Sequence, residues 1–295
     1  MLHTTAFRHT VSYRLAAGAV AACAAIALAA CGSDKADESD AASSSPTAAA
    51  QDEETSRAPS SRTSRYEMVA SYEDATTPEA LAGKQLMEDT QLLEQLAETV
   101  NTYLELPRDV DVVGRECGVP NAFWNERDHT ISMCYEYTAL FVDLFTEDGD
   151  RQPAESALNE TIATFFHELG HAVISLYDLP ATGREEDAAD QLSAVILLFE
   201  RDPELQAIIL DDAQAFSILA ERQMLGEVVF ADEHSLNAQR KFNVLCWIYG
   251  SDPNSYDDLV GPDALPEERA ERCPAEYDQI ERAWYRLMMP HLKEQ

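Results

Sequence analysis

A long apolar segment that carries two histidines and a glutamate constrains this fold more than any other feature. Large apolar residues recur at helical spacing over residues 156–177, which predicts a buried amphipathic helix. Within it stands the sequence His167-Glu168-Leu169-Gly170-His171. Residues four apart lie about one turn apart on the same helix face, so both imidazoles can reach one tetrahedral zinc ion.

Glu168 is the only charged residue between positions 161 and 174. Burying a carboxylate on an apolar helix is costly unless something compensates it, and a metal with a bound water would do so. The position suits a general base that acts on water at the metal. The alternative interpretation is a solvated polar stripe that binds no metal.

A third metal ligand is expected further along the chain. A metzincin would need Gly at position 174 and His at position 177, where this chain has Ile174 and Tyr177, so that subclass is excluded. Acidic residues follow at the start of another predicted helix, and Glu186 is the predicted ligand. Asp190, one turn on, is predicted to accept a hydrogen bond from a ligand imidazole and fix its tautomer. This arrangement is similar to that of gluzincins.

Two alternatives to Glu186 as the ligand stay open. Acidic residues in a first helical turn can simply complement the helix dipole. Glu185 and Asp187 are alternative candidates for the third ligand, because the sequence does not fix the phase of the helix to one residue.

The N-terminus predicts export. Arg8 and Arg14 precede an apolar, alanine-rich segment that is too short and too weakly apolar for a membrane span. It ends in Leu28-Ala29-Ala30-Cys31, which resembles a bacterial lipobox, so residues 1–30 are the expected lipoprotein signal peptide. Cys31 would then carry a lipid that anchors the chain to the cell membrane on its extracytoplasmic side. A plain secretory signal is the alternative.

Composition divides the rest of the chain into a tether and one domain. Residues 31–65 contain almost no large apolar side chain, which predicts a disordered linker after Cys31. Residues 66–295 are long enough for one sizeable core and show no internal repeat. The whole chain has 54 acidic and 21 basic side chains, a net charge of −33, which argues against nucleic acid or anionic lipid as a direct ligand.

Four cysteines remain in the predicted domain, an even number in an oxidising compartment, which predicts two disulfide bonds. Cys117 precedes a predicted hairpin with strands at 121–124 and 130–135, and Cys134 lies within it. We therefore expect a Cys117–Cys134 bond, which leaves Cys246 to pair with Cys273. No C-x-x-C spacing supports a zinc site built from these thiols.

The order of predicted elements indicates the fold class. A long helix, a strand and the hairpin come first, and helices dominate the remainder. The sequence predicts an α+β, zincin-like domain that is mostly helical with a small sheet or hairpin. The individual expectations are a helix at 78–103, a strand at 110–113, and helices at 136–145, 156–177, 186–200 and 204–224.

Five blocks between about residues 110 and 253 together resemble an uncharacterised bacterial metallopeptidase family. They are Cys117-Gly118-x-Pro-Asn121-Ala122-Phe123, Ile131-x-x-Cys134-Tyr135-Glu136, His167-Glu168-Leu169-Gly170-His171, Gly183 to Gln191, and Asp232-Glu233-His234-Ser235-x-x-x-Gln239-Arg240. The resemblance implies a zinc-dependent peptidase of gluzincin type with a peptide or protein substrate.

His234 is a further candidate for catalysis. Gluzincins commonly place a His, Tyr or Arg opposite the base to stabilise the oxyanion, and His234 with the nearby Arg240 fits that role. The alternative is a polar cap formed by Asp232 and Ser235, with His234 exposed.

Three functional hypotheses follow. In the first, zinc held by His167, His171 and Glu186 supports peptide hydrolysis with Glu168 as the base, and the predicted hairpin pairs with an extended substrate. The second is a lipid-anchored binding or scaffold module with a structural or vestigial zinc site. The third is a zinc amidase that acts on cell-wall peptides. A purely structural site has no need of Glu168, which favours an enzyme.

Overall fold

The computed structural model describes residues 65–262 and 264–294. The predicted signal peptide, Cys31 and the predicted linker up to residue 64 lie outside these ranges. Within them, no helix has both the length and the apolar character needed to cross a membrane. The predicted α+β class is confirmed, since a small sheet is joined to a body that is mostly helical.

The sheet has four strands in the order β1-β2-β4-β3. Strands β1, β2 and β4 are parallel, whereas β3 runs antiparallel to β4, with Ala122 opposite Met133. All residues of β4 are buried, as expected for a strand inside a sheet, and β3 forms one edge. The strands are β1 (Met68–Tyr72), β2 (Val110–Arg115), β3 (Ala122–Asn125) and β4 (Thr130–Cys134).

Ten helices are assigned in the described residues. The helices predicted at 136–145, 156–177, 186–200 and 204–224 are present, with small changes at their ends. They are α1 (Pro78–Asp89), α2 (Leu92–Tyr103), α3 (Tyr135–Asp148), α4 (Pro153–Tyr177), α5 (Glu185–Leu198), α6 (Pro203–Arg222), α7 (Glu227–Phe230), α8 (Asn237–Ser251), α9 (Glu267–Ala270) and α10 (Cys273–Met288).

Two expectations about the start of the domain are wrong. The single helix predicted at 78–103 is divided into α1 and α2, because Gln91 adopts a left-handed backbone conformation with φ of 52°. The Thr90 hydroxyl donates to the carbonyls of Leu86 and Met87 and so satisfies two acceptors at the end of α1.

The domain also opens with strand β1 and not with a helix. This strand pairs in parallel with β2, about forty residues later in the chain. The Asn101 side chain of α2 fixes its first residue, since it accepts from the Met68 amide and donates to the Met68 carbonyl. Both partners are distant in sequence, so local periodicity gave no signal for this strand.

Helix α4 lies at the centre of the core. Most of its residues from Ser156 to Ile174 are buried, and it packs against α3, α5, α6 and the sheet. Pro153 occupies the first turn, where its missing N–H costs nothing, and Asp178 ends the helix in a left-handed conformation. The central helix therefore carries the two histidines on a rigid, buried element.

Both predicted disulfide bonds are present. Cys117 is bonded to Cys134 at the end of β4, with Cα atoms 5.5 Å apart. Cys246 of α8 is bonded to Cys273 at the start of α10, with Cα atoms 5.1 Å apart. The first bond fixes the loop before β3, which borders the cleft described below.

Candidate metal centre and active site

Close packing of α4 on α5 brings the site together. A Cβ atom added to Gly170 would lie 2.8 Å from the Ala189 Cα, so a larger residue would force the two helices apart. Gly170 lies beside His171, and Ala189 lies between Glu186 and Asp190. The small residues at this crossing therefore set how closely the acidic helix approaches the histidines.

Four atoms that can bind a metal converge at this crossing, one carboxylate oxygen and three imidazole nitrogens. The Oε2 atom of Glu186 lies 3.1 Å from His167 Nε2, 3.3 Å from His171 Nε2 and 3.0 Å from His234 Nε2. The Nε2 atoms of His167 and His171 are 3.2 Å apart. His167, Glu186 and His234 also form a group whose ligand atoms all lie within 4.8 Å of one another.

This donor set fits a metal ion. Ligands that bind zinc tetrahedrally at about 2.0–2.1 Å lie roughly 3.3 Å from one another. The separations of 3.1–3.3 Å among His167, His171 and Glu186 are close to that value. Two imidazole nitrogens 3.2 Å apart cannot both direct a lone pair, or both direct a proton, at each other without repulsion, and a bound cation would remove that repulsion.

The outer nitrogen of each imidazole has its own carboxylate partner. His167 Nδ1 lies 2.7 Å from Asp190 Oδ1, and His171 Nδ1 lies 2.8 Å from Glu185 Oε1. A carboxylate only accepts, so each Nδ1 carries a proton, and each Nε2 is the atom that would bind a metal once it is unprotonated. The structure places Asp190 at the imidazole of His167 and Glu185 at that of His171, and the second contact was not predicted.

Arg240 holds Asp190 in place. Its guanidinium donates from Nε to Asp190 Oδ2 at 2.8 Å and from a terminal nitrogen to Asp190 Oδ1 at 2.5 Å. The same guanidinium lies over the ring of Phe216, 4.2 Å from its centroid. Arg240 therefore acts on the metal site through Asp190, and the sequence hypothesis that paired it with His234 missed this contact.

The charges at the site shift the pKa values of its acids and bases. Burial raises the pKa of Glu186, but hydrogen bonds from three imidazoles outweigh it and hold that pKa far below its usual range. Burial lowers the pKa of His167, but hydrogen bonds to Asp190 and Glu186 outweigh this effect and raise the pKa to about 9. Binding of a metal here would release protons, because a metal ligand must be unprotonated.

Glu168 lies beside this centre and is only 6% exposed. Burial raises its pKa above the ordinary value, while His167, His171 and a backbone hydrogen bond from Trp124 of β3 act in the opposite direction. A buried carboxyl with a raised pKa is closer to neutrality and so is better suited to both accept and return a proton.

A cleft of about 430 Å³ leads to these residues. Its lining comes from the edge strand β3, from helices α4 and α5, and from Glu233 and His234 of the segment before α8. Arg184 holds this segment in place, since its guanidinium donates to the carbonyls of Glu233 and His234. His234 is about 41% exposed and also contacts Asp232.

The structure brings together all the residues singled out for chemistry: His167, Glu168, His171, Glu186, Asp190 and His234. The two alternatives to Glu186 have other partners. Glu185 binds the outer nitrogen of His171, and Asp187 accepts from the Ser235 hydroxyl at 2.7 Å.

A pair of carboxyl groups at the cleft was missed: Glu160 is buried, and Asp212 contributes to the lining. Glu160 is 2% exposed, and its Oε1 atom accepts from the Tyr137 hydroxyl at 2.7 Å. Burial and the neighbouring Asp212 raise the pKa of Glu160, and burial with the charge of Asp190 raises the pKa of Asp212. Two such groups in contact retain a shared proton. The four-residue spacing of Glu160, Thr164 and Glu168 was the available sequence signal.

The variant Glu160→Gln should make the protein more stable at pH 8 by about 1–3 kcal/mol and change little at pH 5. The pKa values of these carboxyl groups are higher in the folded protein than in the unfolded chain, where they are about 4. Their contribution to the free energy of unfolding is fully present below about pH 4 and is lost as pH rises through the pKa values of the folded state. The amide keeps the hydrogen bond to Tyr137 without that loss. Urea unfolding of both proteins at the two pH values measures the difference; an equal pH dependence would contradict the shared proton.

A family model described as "Putative metallopeptidase" matches residues 72–288. The chain belongs to this family. The match spans the metal-facing helices, strand β3 and His234, and it confirms the family resemblance seen in the sequence. Membership of this metallopeptidase family supports a metal ion and a peptide or protein substrate. Comparisons with curated proteins and with solved structures found no match.

Proposed function

We propose that this metallopeptidase family member is an exported zinc peptidase that hydrolyses peptide bonds. The observation that carries the proposal is the convergence of His167 Nε2, His171 Nε2 and Glu186 Oε2 within 3.1–3.3 Å of one another, with Glu168 beside them. Three protein ligands with room for a water are typical of catalytic zinc sites, whereas structural sites have four.

His167, His171 and Glu186 would hold the zinc, and Asp190 and Glu185 would orient the two imidazoles. Bound zinc supplies two effects: it lowers the pKa of water to about 7 and it polarises the carbonyl to be attacked. Arg240 contributes indirectly, because it fixes both oxygens of Asp190.

Glu168 would move the proton. Its carboxylate accepts a proton from the attacking water and then delivers it to the nitrogen of the leaving amine. The backbone hydrogen bond from Trp124 holds the carboxylate next to the edge strand, where a substrate would lie. The raised pKa of Glu168 favours the second step, since the protonated carboxyl must persist until the amine leaves.

The edge strand β3 would bind the substrate backbone. One edge of β3 pairs with β4, and no strand of residues 65–262 or 264–294 pairs with its other edge. An extended peptide can hydrogen-bond to such an edge as an added strand. The wall of the cleft formed by Asn121 to Trp124 would then place a peptide carbonyl near Glu168.

His234 would stabilise the oxygen of the attacked carbonyl as negative charge develops on it. Its Nε2 atom faces the metal site, and Nδ1 lies 3.0 Å from Asp232 Oδ1. The hydrogen bond to Glu186 raises the pKa of His234, which favours the imidazolium form with a donor on each nitrogen.

The variant His234→Ala tests this role. It also distinguishes a site with three protein ligands and a position for water from a structural site with four protein ligands. We expect it to retain one zinc per chain and to lose about 10²–10³-fold in kcat, as when a single oxyanion donor is removed. Metal analysis and peptide cleavage are measured on the same sample. Loss of zinc from this variant would instead make His234 a fourth ligand and would favour a structural site.

The location of the enzyme rests on the sequence of residues 1–31. We propose cleavage before Cys31 and lipidation of that cysteine, which would tether the domain to the outer side of the cell membrane through residues 31–65. The intact mass of chains recovered from membranes tests this, and an unmodified Cys31 would refute it.

A further inference from the structure

A second cavity lies behind the metal-binding helix. Phe166, Leu169 and Val173 of α4 contribute to its wall. At 100° per residue these three positions are on the side of the helix opposite to His167 and His171. The cavity is therefore separate from the cleft, although it shares α4 with it.

The volume and lining of this cavity are those of a ligand site. It measures about 420 Å³, within the range of small-molecule pockets, and it opens to solvent at one side. Its walls come from α2, α4, α5 and α10 and are almost entirely apolar, with Val100, Leu192, Val195 and Trp284 all buried. A hydrocarbon chain placed against such walls would be removed from water, which is favourable.

The charged residues of the cavity all lie on α10. Arg282 and Arg286 are one helical turn apart and exposed, and Glu281 is the third charged residue. Arg282 also lies 3.5 Å from Asp278, outside the cavity. With Asp278 counted, two cations and two acids make the mouth of the cavity close to neutral in a chain with a net charge of −33, so an anionic group meets less repulsion here than over most of the protein.

We propose that this cavity binds a long-chain fatty acid, with the hydrocarbon chain between α4, α5 and α10 and the carboxylate at Arg282 and Arg286. An arginine pair suits a carboxylate because the guanidinium presents several donors in one plane. A bound chain would pack against Phe166 and Leu169, the direct neighbours of His167 and Glu168. The site would therefore stabilise the helix that carries the metal ligands.

Quenching of tryptophan fluorescence by a brominated fatty acid reports binding at this position. The chain has three tryptophans: Trp284 lines the cavity, Trp124 lines the metal-site cleft, and Trp247 hydrogen-bonds to Glu276. Dibromostearate added to the mature chain should quench saturably with one molecule bound. In the variant Trp284→Phe this quenching should be lost. In wild type, palmitate should compete with the brominated probe and reverse the quenching.

Two changes separate the apolar and the ionic parts of the proposal. Val100→Phe should fill the cavity and weaken palmitate binding at least 10-fold. The double variant Arg282→Glu, Arg286→Glu should weaken palmitate by at least 10-fold but leave hexadecanol unchanged. Arg272→Glu, an exposed charge reversal just before α10, is the matched control and should bind as wild type.

Several results would overturn the proposal. Absence of saturable quenching would remove the site, and equal quenching in Trp284→Phe would move it elsewhere. Equal palmitate affinity in wild type and the double arginine variant would remove the carboxylate assignment. Binding to phosphatidylglycerol vesicles without binding to palmitate would replace the fatty acid with a membrane surface.

Discussion

The variant Glu168→Gln should retain one zinc per chain and lose about 10²–10⁴-fold in kcat for peptide cleavage. The amide has nearly the shape of the carboxylate, but it cannot accept a proton from water. Glu168 is not among the atoms that converge on the metal position, so metal content should not change. Zinc analysis and turnover on a cleaved peptide measure the two quantities separately.

A matched control is available on the same helix. Glu155→Gln changes the same functional group in the first turn of α4, far along the helix from the histidines, and should leave both zinc and kcat unchanged. Equal cleavage rates for Glu168→Gln and wild type would refute the role of Glu168 as the base.

The variant Glu186→Ala should lose stoichiometric zinc and all metal-dependent activity. It removes one of three ligands and leaves a weak site of two histidines. The zinc affinity of Asp190→Asn should lie between those of Glu186→Ala and wild type. We expect a reduction of about 10- to 100-fold, because His167 loses the partner that orients it. Dialysis against zinc buffers followed by metal analysis gives the affinities.

Asp187→Ala is the control for Glu186→Ala. Asp187 is the next residue in the same helical turn, but it binds Ser235 and does not face the metal position, so zinc affinity should be preserved. If Asp187→Ala loses zinc while Glu186→Ala retains it, the ligand assignment is displaced by one residue.

The parts of the site that the sequence predicted are those fixed by local helix geometry. His167 and His171 are four residues apart, and so are Glu186 and Asp190, so each pair necessarily shares one face of its helix. These two faces meet as soon as the two helices pack against each other. The small residues Gly170 and Ala189 at their crossing were in the sequence, but their meaning depends on which helices touch.

The parts that escaped prediction depend on contacts between distant segments. Strand β1 is defined by its pairing with β2, and the contact of Glu160 with Asp212 depends on the packing of α4 against α6. Arg240 reaches Asp190 across fifty residues. Periodicity describes one element at a time, so it identifies buried faces without identifying what covers them.

The central claim is that metal bound at this site performs peptide hydrolysis. The most direct test is a zinc titration of the metal-free mature chain, with bound zinc and cleavage of a broad peptide library measured on the same samples. We expect cleavage to rise in proportion to bound zinc and to level off at one zinc per chain. Saturation with one zinc and no cleavage across the library would contradict the claim and would favour a binding module with a structural metal site.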